Sequence, residues 1–334
     1  MKAAVFYGPR DIRVKEVSKP VLEEGEILLR VRACGICGSD LHTYRHGMFE
    51  ELGIPVENGS VLGHEFSGEI IEMNGTFPHL HIGDTVCTVG RGGNAEYAKV
   101  PPLATFVTTP IPEGVSFEEA ATLEPLATSL HAVNLACPVK GETHVIIGAG
   151  IIGLGVLQVL KSKHDVKTIV VDLSDKRLNK ARELGADTVI NAKGEDAVER
   201  VREMTGTEIL SFMPTPTGMA QVVYDCAVLT KGFAGSPPLQ QALTMLQQNG
   251  KIILVSIFEK LPEFDFNLLV RKGITLFGSW AWTPEEFFAA LELIRTGQVD
   301  RKKVISHQFP LGRAAEAYET QLREDDAVKV MIIP

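Results

Sequence analysis

The run HVIIGAGIIGLGVLQVLK, residues 144 to 161, constrains the fold more than any other part of the chain. It opens as an apolar strand, turns on Gly148-Ala149-Gly150-Ile151-Ile152-Gly153, and continues with helical character. Five further apolar runs follow: KTIVVD, DTVI, QVVYDC, KIILVS and ITLFGS. Between them lie the helical patterns DKRLNKARELG, EDAVERVREM and PLQQALTMLQQ. Unbroken Val/Ile-rich strands that alternate with helices predict a parallel sheet covered on both faces. Six strands are the number expected of a doubly wound α/β domain. Two stretches break the rhythm, residues 207–220 and 228–238, and read as loops or a small lid.

The turn fits G-x-G-x-x-G in the context that gives that pattern its meaning, after a strand and at a helix start. Gly148 permits the tight turn, Gly150 lets the backbone approach a pyrophosphate beside Ile152, and Gly153 allows close helix–strand packing. The free N–H groups and positive dipole end of the helix suit the phosphates. Asp172 closes the second strand, where a carboxylate can bind ribose hydroxyls and would repel a 2′-phosphate, which favours NAD over NADP. Arg177, five residues later, is placed to lie over the adenine or to meet a 2′-phosphate. The other reading of the turn is a glycine-rich bend that binds nothing.

The first 140 residues are different. Short alternating runs (KAAVFYG, EILLRVRA, SGEIIEM, DTVCTV, AEYAKV) predict an irregular, mostly β domain. The tail beyond Trp280 carries a helix, a strand, another helix and the closing strand VKVMIIP. It is expected to pack on the first domain, giving a division into 1–140 plus 279–334 and 141–278. The chain has 334 residues and a net charge of −9, which argues against nucleic acid as a partner. The longest uncharged apolar run, 145–160, is too short and glycine-rich for a membrane span. The five cysteines have no regular spacing, and the N-terminus has no apolar signal core. Both features point to the cytoplasm.

Within ACGICGSDLH (33–42), Cys34 and Cys37 form C-x-x-C, which fits a zinc knuckle, a redox dithiol, or one metal ligand beside a bystander. The same domain holds His64 and Glu65 in GHE, and Glu124 in LEPLATSLH. Cys, His and carboxylate together suit zinc with an open coordination position. Each alone also reads as ordinary structure, and spacing does not bring 37, 64 and 124 together. Cys87, Cys137 and Cys226 read as buried packing residues.

Taken in order, GICGSDLH (35–42), GHEFSG (63–68), IGDTV (82–86), GGNAEYAKVP (92–101), EPLATSLHA (124–132), GAGIIG (148–153) and VDLSDKRL (171–178) resemble the zinc-dependent medium-chain dehydrogenases/reductases over essentially the whole chain. The likeness is strongest to the polyol (sorbitol-type) and threonine 3-dehydrogenase branch. It implies a GroES-like catalytic domain and a Rossmann domain. It further implies a catalytic zinc on Cys37, His64 and a glutamate, with Glu65 and Glu124 both at positions that approach the metal. Cys34 then becomes a packed neighbour. The chain passes directly from DTVCTVG to RGGNAEYAKV, omitting the family's four-cysteine lobe, so one zinc per chain is expected.

The resemblance implies oxidation of a small-molecule secondary alcohol (a polyol, sugar or amino alcohol) by hydride transfer to NAD, with zinc as Lewis acid. Ser39 and His42, the latter near the surface, are the implied proton relay, and Asp40 reads as a loop anchor. A homodimer or homotetramer is implied as well. The competing readings are a zinc-free quinone or enone reductase of the same superfamily, and a dinucleotide-binding protein without turnover.

Overall fold

The computed structural model describes residues 1–209, 216–227 and 237–334. Of the interruptions expected at 207–220 and 228–238, residues 210–215 and 228–236 lie outside the described residues. Their described ends include a small antiparallel pair, Thr207–Glu208 with Thr217–Gly218. The chain divides into two compact units, Met1–Pro125 with Phe287–Pro334, and Leu126–Glu286.

The second unit contains a six-stranded parallel sheet. Its spatial order is Thr188–Asn191, Lys167–Asp172, Thr143–Ile147, Ala220–Asp225, Leu246–Leu254 and Thr275–Gly278. This is the doubly wound order, with its reversal between the first and fourth strands of the unit. The flanking helices bury their periodic apolar positions, such as Leu178 and Ala181 on Asp175–Glu183 and Ala197 and Val201 on Ala197–Thr205. Ser174 and Asp196 cap these two helices through their side-chain oxygens.

One helix is shorter than its sequence pattern. PLQQALTMLQQ is helical only over Pro238–Met245, and Leu246 begins the next strand by pairing with Ala220. The cause is polar and comes from groups distant in sequence. The buried Lys272 ammonium and the Thr217 hydroxyl both donate to the Leu246 carbonyl, which a continuing helix would have turned inward.

The first unit holds two sheets. One is four-stranded, in the order Asp11–Glu16, Lys2–Gly8, Gly59–Val61, Ile54–Val56. The other runs Ile305–Pro310, Lys329–Ile333, Glu26–Gly35, Glu65–Asn74, Thr85–Val89, Thr109–Pro110, and Tyr97–Val100 also pairs with Glu26–Gly35. The C-terminal strand therefore lies directly against Glu26–Gly35, with Met331 opposite Gly35 and Ile332 opposite Cys34. Among the described residues, no helix is long and apolar enough to cross a membrane.

Asp225 ends a central strand of the parallel sheet at 1% exposure. Its Oδ1 accepts from Ala227 N at 3.2 Å and Ser256 Oγ at 3.0 Å, while Oδ2 is buried without a hydrogen bond. Burial pushes its pKa up to about 6, against the pull of those two hydrogen bonds. Because the folded value lies above the ordinary 3.8, the folded state holds a proton that the unfolded chain releases first. The associated stability is complete below pH ~4 and is lost as pH rises through ~6. Asp225→Asn removes this dependence. The variant's unfolding free energy relative to wild type should improve by about 3 kcal/mol between pH 4 and pH 7. Urea titrations across that range check it, and a pH-independent difference would contradict it.

Candidate metal centre and dinucleotide loop

Strand register builds the candidate metal centre. Glu26–Gly35 pairs antiparallel with Glu65–Asn74, with Gly35 opposite Glu65. Cys37 lies just beyond the end of one strand and His64 just before the start of the other, so the turn regions meet. Cys37, His64 and Glu65 bring their ligand atoms within 4.8 Å of one another. Glu124, in the first turn of helix Leu123–Ala136, is outside that set.

Asp40 ties the two turns together. Its Oδ2 accepts from Cys37 N at 2.9 Å, and its Oδ1 accepts from Gly63 N at 3.4 Å and lies 3.8 Å from His64 Nδ1. The carboxylate expected to anchor the loop thus also sits behind the histidine, an arrangement that orients metal-binding imidazoles. Burial tends to lower the His64 pKa, yet Cys37 and Asp40 together push it well above its ordinary value. The Cys37 thiol is pushed up by burial and by Glu65, with His64 opposing.

Glu65 is 1% exposed and forms a buried ion pair with Lys329, whose Nζ also donates to Ile36 O at 2.9 Å. The pair requires Gly35, because a Cβ there would stand 2.7 Å from Glu65 Oε2 and 3.2 Å from the lysine stem. Burial works against the charge on Lys329, but Glu65, Cys37 and Glu124 outweigh it and its pKa rises. Glu65 Oε1 remains buried with no hydrogen bond, an acceptor that a cation would satisfy. A thiol, an imidazole and a carboxylate at this spacing fit a zinc site of the open, three-ligand kind.

Ser39 is half-buried and His42 is buried at 3% exposure, both on helix Gly38–His46. The expectation that His42 lies near the surface is therefore corrected: its ring packs edge-on to Phe49 at 6.3 Å. Cys34 is packed in the core, as read from the sequence, whereas Cys137 is exposed and not a packing residue.

In the second unit, Gly148 takes a φ of +102°, and a Cβ on Gly153 would lie 1.8 Å from Gly148 O. Around Gly150 a Cβ would meet nothing within 4 Å, so the backbone faces open space of the kind a pyrophosphate needs. Gly150 precedes helix Ile151–Lys163, and Ile152 O accepts from Ser129 Oγ at 3.1 Å. Asp172 accepts from Ala149 N at 2.7 Å on Oδ2 and from Ser174 N at 2.9 Å on Oδ1. Arg177 folds back onto Asp172, with Nη2 3.0 Å from Oδ1.

With this geometry established, the comparisons with known proteins agree. Residues 152–296 match the family described as zinc-binding dehydrogenase, and residues 23–113 match the alcohol dehydrogenase GroES-like domain. The chain is 30% identical over 370 residues to (R,R)-butanediol dehydrogenase of Bacillus subtilis, covering 100% of both chains. It is 29% identical to sorbitol dehydrogenase of the same organism, over 100% of this chain and 97% of that one. The crystal structure of the Bacillus subtilis 2R,3R-butanediol dehydrogenase superposes with a TM-score of 0.83 at 29% identity, covering 100% and 99% of the two chains.

The chain belongs to the zinc-dependent medium-chain dehydrogenases. It falls in their polyol branch and is an oxidoreductase acting on CH–OH groups, with zinc and a nicotinamide dinucleotide as cofactors.

Two residues beside the metal centre escaped the sequence reading. Lys329 was detectable in principle as a lone charge inside the apolar run VKVMIIP. Arg301, also fully buried, gave no such signal among the charges of QVDRKK. The dehydrogenase should depend on the ion pair. In metal-stripped protein, Lys329→Met should cost about 3–5 kcal/mol of stability by stranding the Glu65 charge. Adding Glu65→Gln should recover most of that loss. A double variant as unstable as the sum of the singles would contradict the pairing.

Proposed function

We propose that this dehydrogenase oxidises a secondary alcohol on a polyol, sugar or amino alcohol, using NAD and one catalytic zinc per chain held by Cys37, His64 and Glu65. The observation that carries the reading is the convergence of those three ligand atoms within 4.8 Å, with a buried Glu65 oxygen left over. Zinc would supply Lewis acidity that lowers the pKa of the substrate hydroxyl, and NAD would supply the hydride acceptor.

The chain's own groups do the rest. Asp40 fixes the His64 ring, and Lys329 holds the Glu65 carboxylate in place. Glu124 reaches the same centre from its helix, close enough to raise the pKa of Lys329. Ser39 takes the substrate proton, and His42, one helical turn further along, receives it in a buried environment. Preference for NAD over NADP rests on Asp172, whose negative charge and existing donors leave no place for a 2′-phosphate unless Arg177 is drawn away. A cytoplasmic homodimer or homotetramer completes the proposal, with a catalytic domain of 1–140 plus 279–334 built around the compact unit Met1–Pro125 with Phe287–Pro334.

Metal analysis tests this directly. Wild type should carry about one zinc per chain, and Cys37→Ser should lose it together with NAD-linked oxidation of polyols and amino alcohols. NADP should be the poorer oxidant. Zinc-free wild type that reduces quinones or enones would replace this reading with the reductase one. Cofactor binding without turnover of any alcohol would favour a non-catalytic role.

A further inference from the structure

Arg301 is 0% exposed, which is costly for a guanidinium. Burial pulls its pKa down to about 10, and the charges that oppose this are Glu65 and then Asp300. It therefore stays cationic at neutral pH. Its Nε donates to Thr122 Oγ1 at 2.9 Å, and that hydroxyl, itself fully buried, donates onward to Glu119 O at 2.7 Å. Glu119 is fixed in turn by a reciprocal cap with Ser116. The Thr122 hydroxyl is thus pinned from both sides, immediately before helix Leu123–Ala136, whose first turn carries Glu124.

Packing alone gives no reason for a charge here. An unbranched apolar side chain of similar length would fill the space without the desolvation cost. What the guanidinium adds is a directional bond to Thr122 and a positive charge felt by Glu65. Lys329 supplies the second buried cation and feels Glu65, Cys37 and Glu124.

We propose that Arg301 is a positioning residue for the metal centre: through Thr122 it fixes the first turn of helix Leu123–Ala136 and so sets where the Glu124 carboxylate stands relative to Cys37, His64 and Glu65. This rests on the reading that the three-residue cluster holds a metal. Arg301 lies outside the Cys37, His64 and Glu65 cluster. It acts through Thr122.

Cobalt-substituted protein tests the proposal, because visible d–d bands report ligand geometry and a thiolate charge-transfer band reports Cys37 separately. Arg301→Met and Thr122→Val should each keep about one cobalt and the thiolate band while shifting the d–d bands. Each should lower kcat about ten- to a hundredfold with KM for NAD unchanged. Since both cut the same path, the double variant should lose clearly less than the sum of the two singles. Thr122→Ser, which keeps the hydroxyl, should restore the wild-type spectrum. Unshifted d–d bands in both Arg301→Met and Thr122→Val, or fully additive losses in the double variant, would overturn the positioning role. If Arg301→Met does not fold, the near-isosteric Thr122→Val decides alone. Wild type that takes up no cobalt would sink the metal reading itself, and the proposal with it, an outcome distinct from a loaded site whose spectrum ignores Arg301.

Discussion

The buried pair of Glu65 and Lys329 is the interaction on which the metal centre depends. Burying a carboxylate to 1% exposure is costly without a cation beside it, and Lys329 is brought there by the last strand of the chain. Three strands must be in register for this to happen. Gly35 faces Glu65 on one side and Met331 on the other, and Gly35 has no side chain, so the lysine stem and the carboxylate can meet over it. The centre is therefore not a self-contained loop. Its carboxylate is fixed only when residues 26–35, 65–74 and 329–333 have assembled.

The same packing explains why the site suits a cation. Cys37 is made reluctant to ionise by burial and by Glu65, while His64 is drawn toward the charged form by Cys37 and Asp40. Glu65 keeps one oxygen that no protein donor reaches. Each of these tensions is of the kind a divalent ion relieves, since a metal favours thiolate, neutral imidazole and carboxylate together.

The dinucleotide half was the more legible in sequence. Its six strands, the glycine turn and Asp172 were all readable because a doubly wound sheet is made of local, repeated units. The metal half was readable as a list of candidates, Cys37, His64, Glu65 and Glu124, but not as a cluster, because strand register between distant segments decides what meets. Lys329 and Arg301 were missed for a physical reason. In a single sequence a lysine or arginine is presumed solvated, and only a non-local carboxylate or hydroxyl can make its burial tolerable. The error at Leu246 is of the same type: helical periodicity continued through Gln248, but a buried ammonium from residue 272 claimed the carbonyl. His42 and Cys137 were misplaced in opposite directions, since exposure of a single side chain within a two-turn helix, or just past a helix end, has no clear periodic signature.

The contrast between the halves also bears on how each can discriminate. Around Gly150 the surface is open main chain, indifferent to side-chain identity, so in the proposed reading the choice between cofactors falls to Asp172 at the end of the second strand. Asp172 already accepts from Ala149 N, Ser174 N and Arg177. Oδ1 is taken by two of these donors, whereas Oδ2 has one and retains an acceptor position for a ribose hydroxyl. A phosphate would need the opposite, a free cation, and Arg177 is engaged by the same carboxylate. Under the proposed NAD reading, cofactor preference turns on a competition for Arg177, and it would shift with whatever weakens the Asp172–Arg177 pair without disturbing the glycine turn.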